Sequence, residues 1–169
     1  MTEPPPLFIG IDPGKKGGLV GLKDKSVFYT KMPTTEKEIW SWIRALYKCR
    51  PASGCKCFIE WINPGMIGSG KSSMSKLFGS YMQLRGFLVA ANIPFQTVMP
   101  HKWQKTLGIA PRNKKTETQG MWKDRLVNEA RKLFPKLPIW KGTASVQRAI
   151  ADALLIAHYC KTQHTKEQT

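Results

Sequence analysis

The chain has 169 residues, 41% of them hydrophobic, with 27 Lys and Arg against 11 Asp and Glu for a formal net charge of +16. That length suits one domain with a sizeable core, the hydrophobic share excludes a disordered chain, and no apolar run is long enough to cross a bilayer. The charge asks for a polyanionic partner, nucleic acid ahead of a membrane surface, because no helix shows the basic amphipathic face of an interfacial segment.

In chain order, Leu7-Phe8-Ile9-Gly10-Ile11 is an apolar run that ends on Asp12 and breaks into Pro13-Gly14. It reads as a buried, central strand. Lys15-Lys16-Gly17-Gly18 supplies turn chemistry and Leu19-Val20-Gly21-Leu22 resumes the run, so a tight hairpin is predicted, with a third strand over 27–30. Thr35 and Glu38 form a capping box ahead of Ile39, Trp40, Trp42, Ile43, Leu46 and Tyr47 at helical spacing. That aromatic stripe is core rather than a platform for stacked bases.

Cys57-Phe58-Ile59 then runs into Glu60, a second apolar strand closing on a carboxylate. Residues 61–73 form a Gly- and Ser-rich loop. A helix follows over 74–91, in which Gly79 and Gly86 are expected to mark close backbone packing. Residues 93–99 read as a strand, 100–105 as a basic segment, 112–115 as a flexible basic loop, 121–134 as a helix, 135–142 as a turn and 146–159 as the last helix. One domain is expected over 1–160, with a polar, disordered tail over 161–169. Strands first, then alternating helix and strand, mean α/β with a mixed sheet. Cys49, Cys55, Cys57 and Cys160 lack zinc-site spacing and read as reduced thiols.

The acids are few enough to sort one by one. Glu3 and Glu167 lie in tails, Asp24 in a turn, Glu36 and Glu38 in the first turn of a helix, Glu117 in a basic loop, and Asp124 and Glu129 on the polar side of a helix. Asp12, Glu60 and Asp152 remain, each among apolar residues; Asp152 sits in Ala149-Ile150-Ala151-Asp152-Ala153-Leu154-Leu155. A turn-initiating role before Pro13 is the plainer alternative for Asp12. Three carboxylates on three core elements of a basic chain are most simply reconciled by hard divalent cations, which take oxygen ligands. Paired Mg²⁺ ions about 4 Å apart would clamp the attacking and leaving oxygens of a phosphodiester.

Asp12 in Ile9-Gly10-Ile11-Asp12-Pro13-Gly14, Glu60 ending a strand, and Ala151-Asp152-Ala153-Leu154 resemble the RuvC-type Holliday junction resolvases. Met32-Pro33-Thr34-Thr35, the loop from Gly68 to Met74 and Pro100-His101-Lys102-Trp103 are similar to their bacteriophage and organellar branch. The resemblance implies an RNase H-like fold, a mixed five-stranded sheet flanked by helices. It implies a homodimer that nicks opposed strands of a four-way DNA junction with Mg²⁺ or Mn²⁺, two ions per site, held by Asp12, Glu60 and Asp152. Lys102, Lys105 and Lys123 would support the scissile phosphate, and the 61–73 loop would enter the junction centre. Contacts to DNA are expected from Lys15, Lys16, Ser69, Lys71, Ser72, Ser73, Arg112, Lys114, Lys115 and Arg148 as well. The residues before Leu7 lack a signal-peptide pattern. The expected location is intracellular: host cytoplasm for a phage protein, or an organelle matrix after loss of a transit segment.

One position departs from the resemblance. Another acid or a His is expected about one turn before Asp152, and the chain has Val146-Gln147-Arg148-Ala149 there. A guanidinium about 5 Å from a dication costs on the order of 7 kcal/mol at an effective dielectric near 20. Arg148 must therefore turn away, or one metal is poorly held, which leaves a catalytically weakened or inactive junction-binding protein as the alternative. A hybrid-cleaving RNase H would share the chemistry. Gly65-Met66-Ile67-Gly68-Ser69-Gly70-Lys71-Ser72 also satisfies the phosphate-loop pattern. It starts too far beyond its strand, and no later strand ends in an Asp that could serve Mg²⁺.

Overall fold

The computed structural model describes residues 6–51, 54–64 and 72–167, the side chains of 72, 73, 166 and 167 excepted. Three strands open the chain: β1 (Leu7–Asp12), β2 (Gly18–Lys23) and β3 (Ser26–Lys31). Helix α1 (Glu36–Lys48) follows, and its capping box closes as expected, with the Thr35 hydroxyl accepting from the Glu38 amide and the Glu38 carboxylate accepting from the Thr35 amide. Then come β4 (Cys55–Glu60), α2 (Ser72–Ala90), β5 (Phe95–Val98), α3 (Pro100–Thr106), α4 (Gln119–Leu133), a 3₁₀ turn (Pro138–Lys141) and α5 (Ala144–Glu167). The Ser69 and Lys71 side chains and the phosphate-loop pattern lie outside the described residues, as do the side chains of Ser72 and Ser73. No helix among the described residues is long and apolar enough to cross a membrane.

The five strands form one mixed sheet in the order β3-β2-β1-β4-β5. The first three pair antiparallel, while β4 lies parallel to β1 and β5 parallel to β4. The apolar run that ends on Asp12 is the central strand, as its composition requires. Alternation along the strands divides the core in two. Leu7, Ile9, Ile11, Cys55, Cys57 and Ile59 pack under α1 and α2. Phe8 and Phe58 face the other layer, built from α3, α4 and α5. The four cysteines are free thiols.

Helix α5 lies unusually close to the sheet. Ala149, Ala153 and Ala157, spaced one turn apart, are all at most 1% exposed. Beneath them a Cβ on Gly10 would come within 2.2 Å of the Ala153 carbonyl oxygen and 2.3 Å of the Ala157 nitrogen. No side chain fits between the two backbones, so Gly10→Ala must lift the helix. It is expected to destabilise the protein by about 3 kcal/mol or more, measured by chemical denaturation. Gly79 and Gly86 correct the reading from sequence, since a Cβ on either meets nothing within 4 Å. They fill exposed positions of α2 and mark no backbone contact. Replacing either with Ala is expected to add about 0.5–1 kcal/mol, because glycine in a helix sacrifices more backbone freedom on folding.

Two further differences have local causes. The basic segment after β5 is a short helix, α3, launched by Pro100 in its first turn, where a missing N–H costs nothing. Residues 161–167 of the polar tail are helical rather than disordered. The Phe8 and His164 rings meet at a tilt with centroids 5.8 Å apart, and the Thr162 and Thr165 hydroxyls donate to the carbonyls of Tyr159 and Lys161.

Candidate functional site

Parallel pairing of β1 with β4 puts Ile11 beside Ile59, so Asp12 and Glu60 are the next residues of neighbouring strands. Adjacent strands run about 4.8 Å apart. Since Ile11 and Ile59 pack under α1 and α2, alternation turns both acids toward α5. There the alanine stripe lays the helix on the sheet, and Asp152, the residue before Ala153, comes down at the same end. It is 4% exposed and the one buried charged residue among those described. Three acids scattered over 140 positions of sequence thus share one electrostatic neighbourhood.

That proximity shapes the electrostatics of these groups. Burial pushes the Asp12 carboxyl well above its ordinary value, and the charges of Asp152 and Glu60 push it further. Glu60 is pushed up to about 7 by burial and by Asp152, against the opposing pull of an indole hydrogen bond and of Lys123. Burial raises Asp152 too, opposed by Lys123. Lys123, one turn into α4, donates a hydrogen bond to Asp152 Oδ2. Burial alone would lower its ammonium, but the charges of Asp152, Asp12 and Glu60 outweigh that and hold it above its ordinary value.

As the side chains stand, no three of His, Cys, Asp and Glu among the described residues are arranged to hold one metal ion. The ammonium of Lys123 takes the place of a cation beside Asp152. The donor chemistry nonetheless suits a hard divalent ion. Three carboxylates converge, and Asp152 Oδ1 is buried without a hydrogen-bond partner, an expense that an ion would relieve. Taking one up requires Asp152 to exchange the ammonium for it.

Asp12 also opens onto a cleft of about 770 Å³ between the β1–β2 turn, α2, α4 and α5, whose walls carry Lys15, Lys16, Lys76, Lys123 and Arg148. In a low-dielectric cleft of one sign, field lines concentrate and draw in a polyanion. Arg148 has turned aside to α4. Its guanidinium donates to both carboxylate oxygens of Asp124, at 2.7 and 2.8 Å, tying α5 to α4. Asp124, assigned from sequence to a solvated helix face, is thus the anion that neutralises the anomalous residue.

The other expected residues are dispersed. Lys102 and Lys105 are exposed on α3, and Lys114 and Lys115 are exposed in the loop before α4. Arg112 is engaged internally, donating to the Glu117 carbonyl and to Gln119 Oε1. Lys76 of α2 is a cleft residue that sequence reasoning passed over, because a lone lysine on an amphipathic helix carries no signal of what it faces. Trp103 is fully buried, and its indole N–H donates to Glu60 Oε2 at 2.9 Å.

No family model matches the chain, and no curated protein matches it. Its structure is similar to that of Thermus thermophilus RuvC in complex with Holliday junction substrate, with a TM-score of 0.56 over 92% of this chain and 95% of that one, at 16% sequence identity. A second structure of Thermus thermophilus RuvC matches with a TM-score of 0.52 over 93% of this chain and 96% of that one, at 17% identity. What is shared at such identity is architecture: this chain has the RuvC-type, RNase H-like fold.

Proposed function

We propose that the chain is a structure-selective endodeoxyribonuclease that nicks opposed strands of four-way DNA junctions, working as a homodimer with Mg²⁺ or Mn²⁺ held by Asp12, Glu60 and Asp152. The observation that carries this reading is that those three carboxylates and Lys123 share one buried electrostatic neighbourhood, which Asp12 and Lys123 join to a basic cleft. A likeness in fold to a protein solved in complex with a Holliday junction supports the choice of substrate.

When bound, divalent ions would supply Lewis-acid stabilisation of the attacking and leaving oxygens of the phosphodiester. The chain's own residues do the rest. Asp12, Glu60 and Asp152 fix where the phosphate is cut. Lys123, released from Asp152, is free to turn its ammonium to the scissile phosphate. Lys15, Lys16 and Lys76 on the cleft wall receive neighbouring phosphates, with the exposed Lys102, Lys105, Lys114 and Lys115 extending the contact surface. Arg148, held by Asp124, lines the cleft as one half of an ion pair.

A second reading, a junction-binding protein that does not cut, is favoured by Arg148 standing where the resemblance expects a further ligand. A labelled four-way junction, a linear duplex and an RNA–DNA hybrid, each incubated with the protein with and without Mg²⁺, separate the cases. Paired nicks confined to the junction and dependent on Mg²⁺ are expected; a retarded but intact junction selects the binder, and cleavage of the hybrid alone selects RNase H chemistry. Junction affinity is expected to fall steeply with added salt, as phosphate contacts release counterions.

A further inference from the structure

Trp103 lies 43 residues from Glu60 in sequence, yet the two meet through a 2.9 Å hydrogen bond. The chain builds this contact from local parts. Glu60 is paired with Val98 across the parallel β4–β5 ladder, and the Trp61 amide donates to the Val98 carbonyl, fixing where β5 ends. Pro100 then starts α3 at once, with no intervening loop, so Trp103 falls about one helical turn past the strand end. The Trp103 side chain is 0% exposed and belongs to the core beneath α5. An indole is rigid and offers a single donor with no acceptor, whereas a glutamate side chain has three free torsions. Packing holds the donor still, and the donor holds the acid.

We propose that Trp103 is a positioning residue for Glu60: its buried indole N–H pins one carboxylate oxygen, so that Glu60 is presented toward Asp12 and Asp152 in a single orientation suited to a hard divalent cation. This rests on the metal-dependent reading above. Partners of this kind behind a metal ligand typically govern affinity by 10–100-fold.

The test uses the full chain and Mn²⁺ alone as probe. Trp103→Phe keeps a ring in the core and removes the donor. Trp140→Phe is the control, for its indole donates at 2.7 Å to the Phe134 carbonyl rather than to a carboxylate. Trp103→Phe is expected to weaken Mn²⁺ binding, followed by calorimetry or electron paramagnetic resonance, about 10–100-fold. Trp140→Phe, though it costs stability, is expected to leave Mn²⁺ affinity within twofold of the parent. In the unmodified protein, the ¹H–¹⁵N indole resonance of Trp103 is expected to shift as Mg²⁺ is titrated in, and this measurement decides the matter should Trp103→Phe not fold. Unchanged Mn²⁺ affinity in a folded Trp103→Phe, equal weakening by Trp140→Phe, or an indole resonance indifferent to Mg²⁺ would each overturn the proposal. A parent protein that binds Mn²⁺ but cuts no junction would instead defeat the nuclease reading and leave the role of Trp103 standing. A parent protein that binds no Mn²⁺ defeats both.

Discussion

Asp12→Asn is expected to reduce Mg²⁺-dependent cleavage of a four-way junction by roughly 10³-fold while raising the melting temperature of the metal-free protein. The two effects have one cause. The Asp12 carboxyl is held well above its ordinary value by burial and by the charges of Asp152 and Glu60, so its ionised form opposes the fold. An amide of the same shape removes that opposition, and with it the charge that a dication or phosphate chemistry needs. Asparagine also preserves the turn chemistry before Pro13, so lost cleavage could not be blamed on a disordered loop. Junction affinity should hold or improve, since a negative charge has left a site that receives phosphate. Cleavage that persists at the parent rate would reduce Asp12 to a turn residue and sink the active-site assignment.

The second large effect is on stability against pH. Glu60 is pushed up to about 7 from 4.5, and Asp12 and Asp152 are raised as well. A carboxyl with a raised value in the folded state retains its proton longer than it does unfolded. Its stabilisation is therefore complete below the unfolded value and is lost as pH rises through the folded one. For Glu60 alone, the interval from 4.5 to about 7 corresponds to roughly 3 kcal/mol. In a chain of this size that is about 6–12 °C in melting temperature.

In EDTA, then, the protein is expected to melt lower at pH 7.5 than at pH 5. Lys123 does not alter the trend, because its ammonium stays charged throughout that window. Mg²⁺ should act in the opposite direction, stabilising more as pH rises, since an ion binds the deprotonated acids. Glu60→Gln should flatten part of the EDTA slope, the rest belonging to Asp12 and Asp152. A melting temperature that climbs from pH 5 to 7.5 without metal, and ignores Mg²⁺, would show that the three acids are not crowded together.

Much of the site was legible from sequence because burying a carboxylate is costly. Asp12, Glu60 and Asp152 each interrupt an apolar run, and an acid persists there only when something compensates it. The same reasoning required Arg148 either to turn away from Asp152 or to leave one metal poorly held, since a guanidinium and a dication repel. It did not identify Asp124 as the anion on which Arg148 turns, because that pairing joins two helices whose mutual rotation no local pattern reveals.

Local interactions determined the strands, the capped helix α1 and the order of elements, since strand alternation, capping boxes and proline constraints act over a few residues. Tertiary packing alone decided the rest. It set the Trp103 indole against Glu60 and the Lys123 ammonium against Asp152. It made Gly10, unlike Gly79 or Gly86, a position with no room for a methyl group. Those outcomes depend on how closely α5 settles onto β1 and how α3 leaves β5, distances set by side chains far apart in the chain. A residue type states what a position can bond to; only the packed fold supplies the partner.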